Sequence, residues 1–278
     1  MIYVNGEKIN FTKFPDGTAS FRFDPNMSAS FEANQDNSVE FEITWKYESD
    51  EECILLWYLV KHIRSIRGEG TQIYLNMPYI PNARMDRVKN SDEVFTLKWF
   101  TEFINSLKFD RVLVFDPHSN VSAALIDRVY AQNPSDYIQS YVIPDLKQMG
   151  YTNILFCYPD EGAMGRYSSI VKGEYVYGIK CRNWRTGKIE RLELADKEKV
   201  AGRNVLIIDD ICSNGGTFVR TANALREAGA ENIFLYVSHC ENTIFKGSVL
   251  NASPIKHVFT TDSVFHDNSD KITLIPHN

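Results

Sequence analysis

The sequence predicts an α/β protein built as two halves, each a mainly parallel sheet flanked by helices. Three observations carry that expectation. Short apolar runs alternate with amphipathic helical stretches along most of the chain, the rhythm of strand–helix–strand units. The apolar runs at 112–115 and 205–208 lack the polar/apolar alternation of half-exposed strands, as buried parallel strands do. Finally, RVLVFDPHSN at 111–120 can be laid on NVLIIDDICS at 204–213, a faint internal repeat in which an apolar strand ends in an acid. A chain of 278 residues has room for two such domains. The break falls near Tyr141–Asp145, giving domains at 1–143 and 144–278.

The elements follow in order. Residues 1–47 alternate apolar and polar positions around turn signals, as in FTKFPDGTASFRF, and predict short strands with a hairpin. Ser49-Asp50-Glu51-Glu52 reads as a capping box opening a helix to about Arg67, with Leu55, Tyr58, Leu59, Ile63 and Ile66 as its buried stripe. Thr71–Leu75 is a strand. A second helix follows Ser91-Asp92-Glu93 and runs to about Leu107, and strand Arg111–Phe115 enters Asp116-Pro117-His118. In the second half, strand Asn153–Cys157 enters Pro159-Asp160-Glu161-Gly162, and strands Tyr175–Cys181 and Lys188–Leu194 flank a polar loop. Strand Val205–Ile208 then leads through Asp209-Asp210 and a small-residue loop into a helix ending near Gly229. Strands at Ile233–Ser238, 257–260 and 271–275 complete the set.

Composition narrows the class. At 44% hydrophobic and 24% charged residues the chain has an ordinary globular balance. Its longest apolar run, Cys53–Val60, is far too short to span a bilayer, so no membrane role is expected. The opening MIYVNGEKIN has no basic-then-apolar leader, which predicts a cytoplasmic protein. Cys53, Cys157, Cys181, Cys212 and Cys240 are scattered, with no CxxC pair or Cys/His spacing for zinc, and are expected as free thiols. A net charge of −6 argues against bulk nucleic-acid binding. Local positive charge from Arg84, Arg87, Arg166, Lys180, Arg182 and Arg185 could still receive a small anion if those side chains converge.

The stretch VLIIDDICSNGGT at 205–217 carries the most chemistry. The loop Ser213-Asn214-Gly215-Gly216-Thr217 opens a helix, so backbone N–H groups surround a space suited to a phosphate. Asp209 and Asp210 beside it suit ribose hydroxyls. Other segments are open to two readings. Arg84 and Arg87, in the Pro-stiffened run from Pro78 to Arg87, could clamp a polyphosphate by forked hydrogen bonds or form a solvated surface loop. Asp116 and His118, two apart at a strand end, could serve a Mg²⁺ ion, or His118 could be a hydrogen-bonded structural residue. Lys180 and Arg182 share that spacing and could neutralise a transferring phosphoryl group, or merely charge an edge strand. Asp160, before Glu161-Gly162, is equally open. A Walker-type phosphate loop, GxxxxGK followed by Ser or Thr, does not occur.

Taken in order, these segments resemble one family, the ribose-phosphate pyrophosphokinases (phosphoribosyl pyrophosphate synthetases), over most of the chain. Phe14-Pro15-Asp16-Gly17-Thr18 resembles the family's adenine loop, contributed by a neighbouring subunit. Pro78-Tyr79 with Ala83-Arg84-Met85-Asp86-Arg87 resembles its ATP segment with an insertion. Asp116-Pro117-His118 resembles Asp-Leu-His, and Pro159-Asp160-Glu161-Gly162 resembles Pro-Asp-His-Gly. Lys180 and Arg182 match the catalytic pair of the flexible loop, and Asp209–Thr217 matches the phosphoribosyl-binding motif. The resemblance implies two phosphoribosyltransferase-like domains with the active site between them, Mg²⁺ as cofactor, and ATP and a ribose phosphate as substrates. It further implies that Phe14, Asp16, Thr18, Arg84, Met85, Asp86, Arg87 and His118 bind ATP, and that His118, Asp160 and Asp116 hold metal. Asp209, Asp210, Ser213, Asn214, Gly215, Gly216 and Thr217 would bind the ribose phosphate, in a homo-oligomer (dimer or hexamer). The implied reaction transfers the β,γ-pyrophosphoryl group of ATP to the anomeric hydroxyl and releases AMP.

Several departures from the family pattern stand out. Thr18 and Met85 replace the family's Glu and Gln on the nucleotide side, and Glu161 replaces a His. Ser213 and Asn214 replace an Asp-Thr pair where the acceptor's 5′ end should sit. Three further readings therefore stand beside the first: the same chemistry on ADP-ribose, a phosphoribosyltransferase, and a non-catalytic regulatory homologue.

Overall fold

The computed structural model describes residues 1–23, 40–182 and 189–277; the side chains of 180–182 and 189–191 fall outside that description. The chain forms two compact units, Met1–Gln132 and Asn133–Asn278, where the sequence placed the changeover at 143/144. The segment expected to be the boundary is helical: α4 (Ser135–Tyr137), a π turn (Ile138–Val142) and α5 (Ile143–Gln148) run without a break.

The first unit is a six-stranded sheet ordered β2-β1-β5-β6-β7-β8. β1 (Ile2–Val4) pairs antiparallel with β2 (Glu7–Lys8) and with β5 (Phe41–Trp45). From β5 onward, β6 (Ile73–Asn76), β7 (Arg111–Phe115) and β8 (Val129–Gln132) run parallel in chain order. β3 (Phe11–Lys13) and β4 (Ala19–Phe21) form a separate hairpin whose aromatic rings rest on the unit's core. β5 alternates buried and less buried positions, because only its Phe41, Ile43 and Trp45 face the core.

α1 (Glu51–Arg67) buries Leu55, Leu56, Leu59, Val60 and Ile63, each contributing about 1.5–3 kcal/mol of transfer free energy. Leu55, Leu59 and Ile63 are buried as expected, but Tyr58 and Ile66 are exposed and Leu56 and Val60 are buried instead; the unbroken apolar run at 53–60 leaves the edge of the stripe to be set by the core. The capping box is also incomplete, since no side chain caps α1. Glu52 turns inward instead, accepting the Trp45 Nε1–H at 2.9 Å and the Glu48 amide at 2.8 Å, and it pairs with the N-terminal ammonium. α2 (Thr96–Ser106) starts later than expected. Glu93 folds back to accept the Lys89 amide at 2.8 Å, so this acid closes a turn rather than opening the helix. α3 (Asn120–Ala124) follows β7.

The second unit is a seven-stranded sheet ordered β11-β10-β9-β12-β13-β14-β15. β9 (Ile154–Tyr158), β12 (Asn204–Cys212), β13 (Asn232–Cys240), β14 (Ile255–Thr261) and β15 (Ile272–Ile275) run parallel, with β10 (Tyr175–Arg182) parallel to β9 on the other side. Only β11 (Ile189–Ala195) is antiparallel, against β10. The chain therefore leaves β9 in one direction and resumes at β12 in the other, which makes the β9/β12 edge a topological switch point. All nine residues of β13 are buried, as expected of the centre of a covered parallel sheet. β12 continues through Asp209 and Asp210 to Cys212, beyond the expected end at Ile208, because β13 keeps pairing with it to Cys240. α6 (Glu161–Tyr167) follows β9, and α7 (Gly216–Glu227) follows β12.

Candidate active site

In the second unit the two short connections at the switch point carry the acids. Asp160 is the N-cap of α6, its Oδ1 accepting the Ala163 amide at 2.9 Å. Across the crevice, Asp209 Oδ1 accepts the Asp210 amide at 3.0 Å, and Asp210 Oδ2 lies 3.2 Å from the Arg166 guanidinium on α6. The Asp209 carboxyl is pushed well above the ordinary carboxylate range, chiefly by burial and then by the negative charges of Asp210 and, more weakly, Asp160. The sequence named Arg166 only among six cations that might converge. Its place six residues after Asp160 was the available signal, once that acid is known to start a helix.

The loop after β12 is held open by backbone geometry. Gly215 has φ +71°, left-handed, and a Cβ there would lie 2.1 Å from Val249 Cγ2. Gly247 permits a still closer approach, since a Cβ on it would stand 1.9 Å from the Asn214 carbonyl oxygen. The loop is thus pressed against the 247–249 segment, which sequence reasoning missed because some thirty residues separate them and no local pattern links them. Asn214 and Gly216 are exposed, Ser213 and Thr217 half-buried, and α7 begins at Gly216. The N–H groups of that first turn make a cradle for an anion.

Lys180 and Arg182 lie in β10, in register with Leu192 and Ile189 of β11; their side chains fall outside the described residues. The root of that hairpin is keyed to the Asp160 connection by Gly178, where a Cβ would lie 2.5 Å from the Pro159 carbonyl oxygen.

In the first unit, Asp86 is the node of the nucleotide-side candidates. It is buried, and Arg87 grips it through Nε at 2.8 Å and Nη2 at 3.0 Å. The Arg87 hydrogen bond lowers the Asp86 pKa, and the Ser119 side chain and the nearby His118 act in the same direction. The insertion before it folds as successive turns, with the Ala83 amide on the Ile80 carbonyl and the Met85 amide on that of Asn82; Arg84 stays exposed and Met85 half-buried. Asp116 is buried at the end of β7 with φ +39°, a left-handed conformation that a non-glycine residue seldom adopts. In the hairpin, Asp16 Oδ1 accepts the Thr18 amide at 2.9 Å and the Thr18 hydroxyl at 2.7 Å, which lowers the Asp16 pKa and commits both residues to the turn. Phe14, more than half exposed, is the member left for contact.

Among the described residues no three His, Cys, Asp or Glu side chains form a ready-made metal cage. Mg²⁺ asks for less, one or two carboxylates with water and substrate phosphates completing the shell. Asp160, at the start of α6, and Asp116, buried at the end of β7, each offer a carboxylate of that kind, so the donor chemistry of the expected metal residues fits. No helix among the described residues is long and apolar enough to cross a membrane.

These two α/β units, with a phosphate-type loop after a parallel strand, define a chain of paired phosphoribosyltransferase-like domains. Phosphoribosylpyrophosphate synthetase from Mycobacterium smegmatis shares that fold: it superposes with a TM-score of 0.73 over 97% of this chain and 86% of its own, at 15% identity. Residues 191–275 match the family model described as the phosphoribosyl synthetase-associated domain. Ribose-phosphate pyrophosphokinases of Buchnera aphidicola and Pyrococcus abyssi are 27% and 26% identical to it, over 99% and 96% of this chain and 84% and 87% of theirs. The chain is a divergent, ribose-phosphate pyrophosphokinase-like transferase.

Proposed function

We propose that the protein transfers the β,γ-pyrophosphoryl group of Mg-ATP to the anomeric hydroxyl of a ribose 5-phosphate-type acceptor. The observation that carries this reading is the switch-point crevice, where Asp160, the Asp209–Asp210 pair and the phosphate loop stand together. Asp209, with Asp210, accepts the ribose hydroxyls, and amides from Ser213 to Thr217 hold the 5′-phosphate. Arg84 and Arg87 take the polyphosphate of ATP, Asp86 orients Arg87, and Phe14 packs on the adenine of a neighbouring subunit in a homo-oligomer. The anomeric oxygen bonds to the β-phosphorus as the bond from that phosphorus to the α,β-bridging oxygen breaks. AMP leaves with the bridging oxygen, and the hydroxyl proton passes to solvent. Lys180 and Arg182 supply positive charge where the equatorial oxygens gain negative charge. Asp116, His118 and Asp160 are the residues that would hold Mg²⁺, which when bound neutralises phosphate charge. The setting proposed is cytosolic.

A second reading, ADP-ribose as acceptor, rests on Ser213 and Asn214. These short polar side chains, with Asn214 exposed, leave the 5′ end of the loop open to a larger substituent. The test is AMP release from Mg-ATP with ribose 5-phosphate and ADP-ribose offered separately. Turnover of ribose 5-phosphate at or above the rate with ADP-ribose removes the second reading. Lys180→Ala is expected to abolish release while leaving the circular dichroism spectrum intact. Pyrophosphate release from phosphoribosyl pyrophosphate and a base, without AMP formation, would make the protein a phosphoribosyltransferase instead. A wild-type protein inert with every ribose phosphate would be a regulatory homologue.

A further inference from the structure

The two acids at the end of β12 are not equivalent, and the difference traces to one side chain. The Asp210 side chain is only 6% exposed, and the guanidinium of Arg166, whose side chain is 28% exposed, meets its carboxylate at 3.2 Å. Asp209, one residue earlier, spends one oxygen on the Asp210 amide. Arg166 is itself held in place, its guanidinium 4.9 Å from the centre of the Tyr167 ring. Tyr167 is buried and stacked at 6.2 Å on Tyr158 of β9. The same seven-residue helix starts at Asp160, whose carboxylate is tied to the first turn. One rigid piece thus carries an acid at its start and, near its end, the cation that takes the second acid of the opposite connection.

We infer that Arg166 is a positioning residue for the acceptor, a guanidinium strut that fixes Asp210 and thereby presents Asp209, together with Asp160, at a set separation across the switch-point crevice. This rests on the reading of that crevice as the ribose-phosphate site. Without the strut the buried Asp210 carboxylate loses the guanidinium that meets it, and it is expected to draw in water or swing toward the ribose space. The ribose hydroxyls then meet a displaced pair of acids, whereas the nucleotide, held by other residues, is unaffected.

The experiment measures AMP release by wild type, Arg166→Ala, Arg166→Lys, Asp210→Asn and the Arg166→Ala/Asp210→Asn double variant, with KM for each substrate taken separately. Thermal unfolding of each variant is followed alongside. For Arg166→Ala, KM for ribose 5-phosphate (or ADP-ribose, if that is the better acceptor) is expected to rise roughly tenfold with KM for ATP unchanged. Loss of folded protein would lower the rate but move neither KM. Arg166→Lys should recover part of the acceptor affinity. The double variant should lose less than the two single losses combined, since each single change already breaks the same ion pair. An unchanged acceptor KM in Arg166→Ala, or single effects that simply add, overturns the inference while leaving an active wild type. An inert wild type overturns the functional reading, and this role with it.

Discussion

Asp86 in the first unit and Asp209 in the second are both acids at the edge of a candidate phosphate-handling segment, yet their charges are treated in opposite ways. Asp86 is met on both oxygens by Arg87, so its ionised form is favoured. Asp209 is disfavoured in its ionised form, first by burial and then by the charge of Asp210 and, more weakly, Asp160. The first acid is already satisfied within the protein and serves to orient a cation. The second carries an unmet electrostatic demand, as expected where a ligand hydroxyl or a metal ion completes the arrangement. The backbones differ in the same sense. The phosphate loop after β12 takes its left-handed position at a glycine, while the corresponding turn after β7 places Asp116 there at φ +39°.

The strongest way to erase that difference is to disturb the glycine-built loop. Gly247→Ala must push the Asn214 carbonyl aside, and AMP release should fall on the order of 100-fold, because small misplacements of a binding group are costly. Steady-state rates at saturating ATP test this, and a loss below fivefold would remove the loop from the acceptor site. The accompanying loss of stability should be about 1–3 kcal/mol by denaturant titration.

The acids themselves should respond to pH with opposite signs. Asp209 has a folded-state pKa above its unfolded value near ~3.9, so its contribution is fully present below that value and is lost as pH rises through the folded pKa. Asp209→Asn should therefore unfold at a higher temperature than wild type near neutral pH, with the gap closing in acid, although acceptor turnover is lost. For Asp86 the folded pKa lies below the unfolded one. Its stabilisation is present above about pH 4 and disappears as pH falls through the folded pKa. Asp86→Asn should accordingly be the less stable protein at neutral pH, by up to about 1 kcal/mol given that Arg87 is exposed. Identical pH–stability profiles for the two variants would contradict the contrast.

The smallest expected effect concerns the turn after β7. Asp116→Gly relieves the left-handed strain and should gain about 1 kcal/mol in unfolding free energy, while lowering activity if the carboxylate serves the metal. A loss of stability would mean that the buried carboxylate is worth more to the fold than its backbone costs.

Much of this arrangement could be read from the amino-acid order because the informative segments are local. A strand, two acids, a Gly-Gly loop and a helix follow one another between Val205 and Glu227, and each imposes its structure on its own neighbourhood. What escaped depends on contacts distant in sequence. Gly247 acquires its meaning only from Asn214, and Glu52 became a buried acceptor for Trp45 rather than a capping residue. Apolar runs mislead for a different reason. Between Cys53 and Val60 every position is apolar, so the edge of the buried stripe of α1 is decided by the core it joins. β12 outlasts its expected end because pairing with β13 outweighs the poor strand propensity of two aspartates.

Gly178 has a consequence for how such a protein can be altered. Its missing side chain lets β10 touch the Pro159 backbone, so the root of the arm bearing Lys180 and Arg182 is indexed to the Asp160 connection by main chain alone. The arm's registration therefore does not depend on the identity of the loop residues 213 and 214. On the proposed reading, acceptor preference is open to redesign at those two exposed or half-exposed positions as an interchangeable part, with the arm bearing Lys180 and Arg182 as fixed tooling.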